Sequence, residues 1–311
     1  MRFFVDPWDP AYGASLETEM TTTSAPVTLD VERPVQEWAP ISPPAATVVP
    51  DCVVFVDGVR RLEARTWIDD ADGTSHAGIF ASYAAGAVRC DGTARIADVV
   101  IGRGLYSPAP ALTAVDTRHG TFGAHTTVDA TPEALMYAVH EQMAEAEVTV
   151  AERTRRSCDD LLLLDGPLRK RGHIPDAVGL IKSHHVRYLE GETDGLVGRL
   201  EPGQRTPVFL VEAYPFSRYS WYLKLPGPLG SAWAGVVRCE ATGALAPERV
   251  VALADVVAAT IPRFASEPHK DARAPQNLYP IGGLERELRR RLGDPRLLYR
   301  ALRIAAASAA A

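Results

Sequence analysis

The sequence predicts a mixed α/β domain: an antiparallel meander of strands, then helices and further buried strands. Three observations carry this reading. From residue 51 the chain alternates short apolar segments with Asp-Gly turns, and residues 131–157 then change to helical spacing. Leu161 to Leu164 follow as an unbroken apolar run of strand length. A meander, a helix, a buried strand and later helices is the order of a mixed sheet flanked by helices. The chain has 311 residues, 46% hydrophobic and 23% charged, which is enough for a sizeable core.

Taken in order, residues 1–50 are rich in Pro and Thr and read as an extended arm, with Trp8, Tyr12 and Trp38 as rings that could dock on a partner or on the body. Residues 51–311 read as one domain. Strands are expected at 52–57, 60–68, 76–89 and 95–103, with turns at Asp72-Gly73 and Asp91-Gly92. Thr131-Pro132-Glu133 opens a helix, with a hydroxyl cap, proline at the first position and acid in the first turn; it should run to about residue 157. The Leu161–Leu164 strand follows, then strands at 177–183, 207–214, 218–225 and 233–240. Helices at 247–260 and 281–292 come next, and Ala305 to Ala311 read as a fraying helical tail. No internal repeat is visible.

Composition narrows the function. A net charge of −6 and a pI near 5.8 argue against a passive basic coat for nucleic acid. They leave room for an enzyme that concentrates positive charge in one groove. Cys52, Cys90, Cys158 and Cys239 are scattered, with no C-x-x-C pair, so neither a zinc site nor a disulfide framework is expected. The apolar stretch at Met1 to Val5 is too short for a signal peptide, and no run reaches membrane-spanning length. The expectation is a soluble, cytoplasmic protein.

Two apolar runs end on the same dipeptide: Val53-Val54-Phe55-Val56-Asp57-Gly58 and Leu161-Leu162-Leu163-Leu164-Asp165-Gly166. Each reads as a buried strand that delivers a carboxylate to a sheet edge before a glycine turn. A third acid comes from helical phase. Leu135, Val139, Met143, Ala146 and Val150 form the apolar stripe of the 132–157 helix. Glu141, Glu145 and Glu152 fall roughly opposite Met143, whereas Glu147, four after Met143 and three before Val150, sits on the stripe's edge and points inward. Three converging carboxylates would repel one another unless a divalent cation lay among them. Oxygen ligands favour magnesium or manganese, ions that activate water and stabilise the leaving oxygen of a phosphodiester. The bland alternative is two ordinary Asp-Gly turns and a salt-bridged Glu147.

These segments, with Gly179-Leu180-Ile181-Lys182-Ser183, Arg218-Tyr219-Ser220-Trp221-Tyr222-Leu223 and Pro275-Gln276-Asn277-Leu278-Tyr279-Pro280-Ile281, together resemble the NurA nuclease family over residues 50–300. The resemblance implies an RNase H-like fold and a manganese-dependent nuclease (5′-3′ exonuclease and single-strand endonuclease) that resects DNA ends in double-strand break repair. It also implies a homodimer that works with a HerA-type hexameric ATPase. By position, Asp57, Glu147 and Asp165 match the metal-binding acids and Tyr222 a tyrosine near the site. The family's final histidine falls at Glu287, a candidate fourth ligand, although Glu285 lies nearer the Ile281, Leu284, Leu288, Leu292 stripe. Val59 replaces the family's small hydroxyl residue.

Around these acids, Arg169-Lys170-Arg171 could meet a phosphate backbone or form a solvated loop. Lys182, inside a strand, favours a phosphate or carboxylate partner. His184 and His185 point to opposite strand faces, so at most one could be a ligand, and surface histidine is the plainer reading. In the 218–223 strand, Arg218 and the aromatics could stack and pair with DNA; core packing explains half of them, and Arg218 and Tyr222 are expected on opposite faces. Arg286, Arg289, Arg290 and Arg291 read as a solvated face or as a docking patch for DNA or a dimer mate. Two functions follow: a Mn2+- or Mg2+-dependent DNA nuclease, or a catalytically degenerate partner of a HerA-type ATPase.

Overall fold

The computed structural model describes residues 21–70, 72–227 and 233–309. Thr21–Thr22 (β1) and Val27–Thr28 (β2) precede three long strands, Val53–Asp69 (β3), Ser75–Cys90 (β4) and Ala94–Ser107 (β5). Val115–Thr117 (β6) and Gly120–Thr126 (β7) lead to the helix Pro132–Thr154 (α1). Then come Leu161–Asp165 (β8), Ala177–Ile181 (β9), Val186–Arg187 (β10), the short helix Gly191–Val197 (α2), Phe209–Val211 (β11), Arg218–Lys224 (β12) and Val236–Thr242 (β13). The helices Pro247–Thr260 (α3), Tyr279–Arg291 (α4) and Pro295–Ala309 (α5) close the chain.

The protein is a mixed α/β fold. Its main sheet has eleven strands in the order β2-β11-β12-β13-β9-β8-β3-β4-β5-β7-β6, and β1 pairs separately with β10. β8 and β9 are parallel, as are β5 and β7, whereas β13 meets β9 and β12 antiparallel. No helix of the described residues is long and apolar enough to cross a membrane.

The described chain divides into two compact units. The first comprises residues 21–55, 90–94 and 155–282. Its core includes Leu189, Val197, Leu200, Phe209, Val211, Tyr222 and Val236, and Phe55 meets Phe264 edge-on at 4.9 Å between centroids. Burial of such side chains contributes about 1.5–3 kcal/mol each. The Pro-rich segment packs here from residue 21 onward, while Trp8 and Tyr12 lie outside the described residues. β2 extends the sheet beside β11, Trp38 packs on Phe209, and Ile41 bridges to Arg205. Arg205, wholly buried, is held by Glu32 at 2.7 Å and Asp255 at 2.6 Å. Breaking a buried pair of this kind costs about 3–5 kcal/mol, so Glu32 is a firm tether for its segment.

The second unit comprises residues 56–89, 95–154 and 283–309. Leu135 and Val139 of α1 pack on Ile79, Ala81 and Tyr106, and Leu298 and Leu302 of α5 pack on Phe80, Leu105 and Phe122. Thr131 caps α1, its Oγ1 accepting from the Ala134 amide at 3.2 Å. The helix stops at Thr154, three residues short of the expected end, where the threonine hydroxyl turns back to the Val150 carbonyl.

Several expected boundaries change. β3 runs unbroken through Asp57 and Gly58, so the Asp57-Gly58 pair is not a turn and the strands expected at 52–57 and 60–68 are one. β11 is shorter than expected, and β6, β7 and α2 were not foreseen; all are short, polar or glycine-bearing and carry little periodicity.

Candidate metal centre

In the second unit, acids from β3 and α4 come close together, and a third acid, on α1, is buried against the opposite face of β3. Asp57 lies on β3 just after the buried run Val53–Val56 and is itself only 6% exposed. Its Oδ1 accepts from the Gly58 amide at 2.7 Å. Glu147, 3% exposed, comes from α1, as its helical phase requires. A Cβ on Gly58 would stand 2.5 Å from Glu147 Oε1 and 2.9 Å from Met143 Cγ, so the glycine makes room for the glutamate on the face of β3 opposite the Asp57 side chain. Glu285, half-buried on α4 after the buried Leu284, brings a carboxylate oxygen within 4.8 Å of one from Asp57. Carboxylates this close repel one another, and a divalent cation is the natural relief. An all-oxygen donor set fits magnesium or manganese rather than zinc.

In the first unit, Asp165 ends β8 and Gly166 turns the chain at φ +84°, as the dipeptide predicted. Asp165 has its own cation. Lys182, just past the end of β9, donates to Asp165 Oδ2 at 2.7 Å and to Asn277 Oδ1 at 2.8 Å. Asn277 is fully buried and donates in turn to Asp271 Oδ2 at 2.7 Å. A four-residue relay therefore fixes the ammonium against Asp165. Sequence pattern pointed to Lys182 but gave Asn277 and Asp271 no role, because their partnership depends on a loop with no periodicity.

The remaining candidates are placed as follows. Arg171 is buried, with Nη1 on the Asp165 carbonyl at 3.3 Å and Nη2 on the Pro167 carbonyl, so it braces the loop after β8. Arg169 and Lys170 are exposed on the same one-turn 3-10 helix. Arg218 pairs with Glu240 at 3.3 Å and donates to the Tyr188 hydroxyl at 2.9 Å. Tyr222 is buried among Phe209, His184 and Trp233, and that burial pushes its phenol well up. Tyr188 borders both Arg218 and Tyr222, so the two share a face rather than opposing each other; a spacing of four along a strand dictates this. His184 meets the Val236 carbonyl through Nε2 at 3.0 Å, and burial pushes its pKa down to about 4.

Glu287 is committed elsewhere on α4. It accepts from Arg290 at 2.6 Å and from Arg291 at 2.7 Å, and these hydrogen bonds pull its carboxyl down to about 2. The α4 acid that approaches Asp57 is Glu285, the one nearer the helix's buried stripe. No protein-family model matches the chain, and no curated protein matches it significantly.

Proposed function

We propose that the chain is a metal-dependent DNA nuclease of the NurA type. Asp57 and Glu285 would hold a manganese or magnesium ion. The observation that carries this reading is the approach of Asp57 and Glu285, acids from a strand and a helix of one unit, to within 4.8 Å. Support also comes from the strand order β5-β4-β3-β8-β9 with β8 and β9 parallel, which suits the RNase H-like reading of the sheet. The resemblance of the quoted motifs to NurA nucleases supplies the substrate, DNA ends, and the expected partners, a second copy of the chain and a HerA-type ATPase.

Once bound, the ion would supply charge neutralisation and Lewis acidity at the scissile phosphodiester. The protein's own groups do the rest. Lys182 is pinned by Asn277 and Asp165, so its ammonium is pre-oriented to steady a phosphate oxygen. An acid, Glu287, where the resemblance places the family's final histidine would favour a degenerate scaffold; Glu285 close to Asp57 favours the metal-binding reading instead.

The test is cleavage of single-stranded and resected DNA with manganese. EDTA should stop it, and Asp57→Ala should reduce it by more than the roughly 10–100-fold that losing an outer partner costs. Robust cleavage by Asp57→Ala would remove the proposed site.

A further inference from the structure

The chain carries a net charge of −6, yet residues 281–309 hold seven arginines against three acids. On α5 the buried residues are Leu298, Ala301 and Leu302. At 100° per residue, Arg296, Arg300 and Arg303 fall on the opposite side, and all three are exposed. They span about 10 Å of helix at 1.5 Å per residue. Arg286 and Arg289 likewise lie opposite the buried Ile281, Leu284 and Leu288 of α4.

The acids in this stretch are engaged away from that face. Glu287 clamps Arg290 and Arg291. Asp294 caps α5, accepting from the Arg296 and Leu297 amides. Glu285 is turned toward Asp57. Among the described residues, no carboxylate pairs with Arg286, Arg289, Arg296, Arg300 or Arg303. Five exposed guanidinium groups thus remain uncompensated on two consecutive helices, and like charges so arranged cost stability unless something anionic uses them. Tyr299, 49% exposed, adds a ring three residues after Arg296 and four before Arg303, where a base could stack.

We infer that the arginine face of α5 binds the phosphate backbone of single-stranded DNA. The inference deepens the nuclease reading, on which it rests: it assigns a track for the substrate strand on the helix that follows the one bearing Glu285. Guanidinium groups spaced along one helix face suit successive phosphates, and the electrostatic gain comes from counterion release.

The experiment measures binding alone, with EDTA present, so cleavage cannot influence it. A labelled single-stranded oligonucleotide is titrated with wild type, with the triple variant Arg296→Gln/Arg300→Gln/Arg303→Gln, and with the matching triple lysine variant, between about 50 and 200 mM salt. The glutamine variant should keep the wild-type melting temperature, bind at least about tenfold more weakly at low salt, and lose about two units of salt slope, at roughly 0.7 per phosphate. The lysine variant should recover most of both. Unchanged affinity and slope in the glutamine variant would overturn the inference. So would an equally weak lysine variant, or a weakening that comes with loss of a dimer in sedimentation and no change of slope. Each of these outcomes leaves the cleavage test of Asp57→Ala to be judged separately.

Discussion

Asp57 and Asp165 share a local sequence, four buried apolar residues before and a glycine after, yet the fold treats them differently. At Asp165 the strand ends, Gly166 takes the left-handed turn, and Lys182 provides a cation at 2.7 Å. At Asp57 the strand continues, Gly58 stays extended and clears space for Glu147 on the opposite face, and Glu285 comes close to Asp57 itself. The same dipeptide serves as a turn in one place and as a gap for a carboxylate in the other. One aspartate sits in a charge-balanced relay; the other sits where negative charge accumulates, which is where an ion would be drawn.

The comparison can be pressed from the side of Asp165 first. Lys182→Met should lower manganese-dependent cleavage about 10–100-fold, the usual cost of losing a group that orients a ligand, and should also lower the melting temperature, because it leaves the mostly buried Asp165 and Asn277 without their shared partner. Cleavage at the wild-type rate would mean that the relay through Asn277 has no part in function. Gly58→Ala presses from the other side. The added methyl would meet Glu147 and Met143, whose side chains can yield, so the stability loss should stay near 1 kcal/mol, at the low end for overpacking. Cleavage should fall further than stability, because the nuclease reading counts Glu147 among the metal-binding acids. Equal activity at equal stability would show that Glu147's position is unimportant.

The smallest effect is a pH dependence that belongs to the first unit alone. The unfolded imidazole of His184 protonates near 6.5 and the folded one near 4, because burial disfavours its charge. Between these values the unfolded chain binds the extra proton, so this contribution is complete above pH 6.5 and declines as pH falls toward 4. His184→Gln should flatten that part of the melting-temperature profile; an unchanged profile would count against a buried neutral His184.

Much of this was legible in the sequence, for identifiable reasons. Glu147 could be picked out because a helix repeats every 3.6 residues and its stripe gave the phase. The same logic placed Glu285 nearer the α4 stripe, while counting along the resemblance pointed to Glu287, which two arginines within one turn hold instead. The extended backbone at Asp57-Gly58 was not legible, since a glycine admits both a turn and a strand, and the deciding neighbour, Glu147, lies 89 residues away. Nor was the docking of residues 21–50 by Glu32 on Arg205, a contact across 173 residues with no local pattern.

The central claim, that these carboxylates form a seat for a divalent ion, is tested most directly by manganese-dependent thermal stabilisation of wild type, Glu285→Gln and Glu287→Gln. With free manganese at about a hundred times the dissociation constant, wild type and Glu287→Gln should each gain roughly 2.7 kcal/mol of stability, and Glu285→Gln much less. A wild type that gains nothing, or a Glu285→Gln protein that gains as much as wild type, would contradict the account.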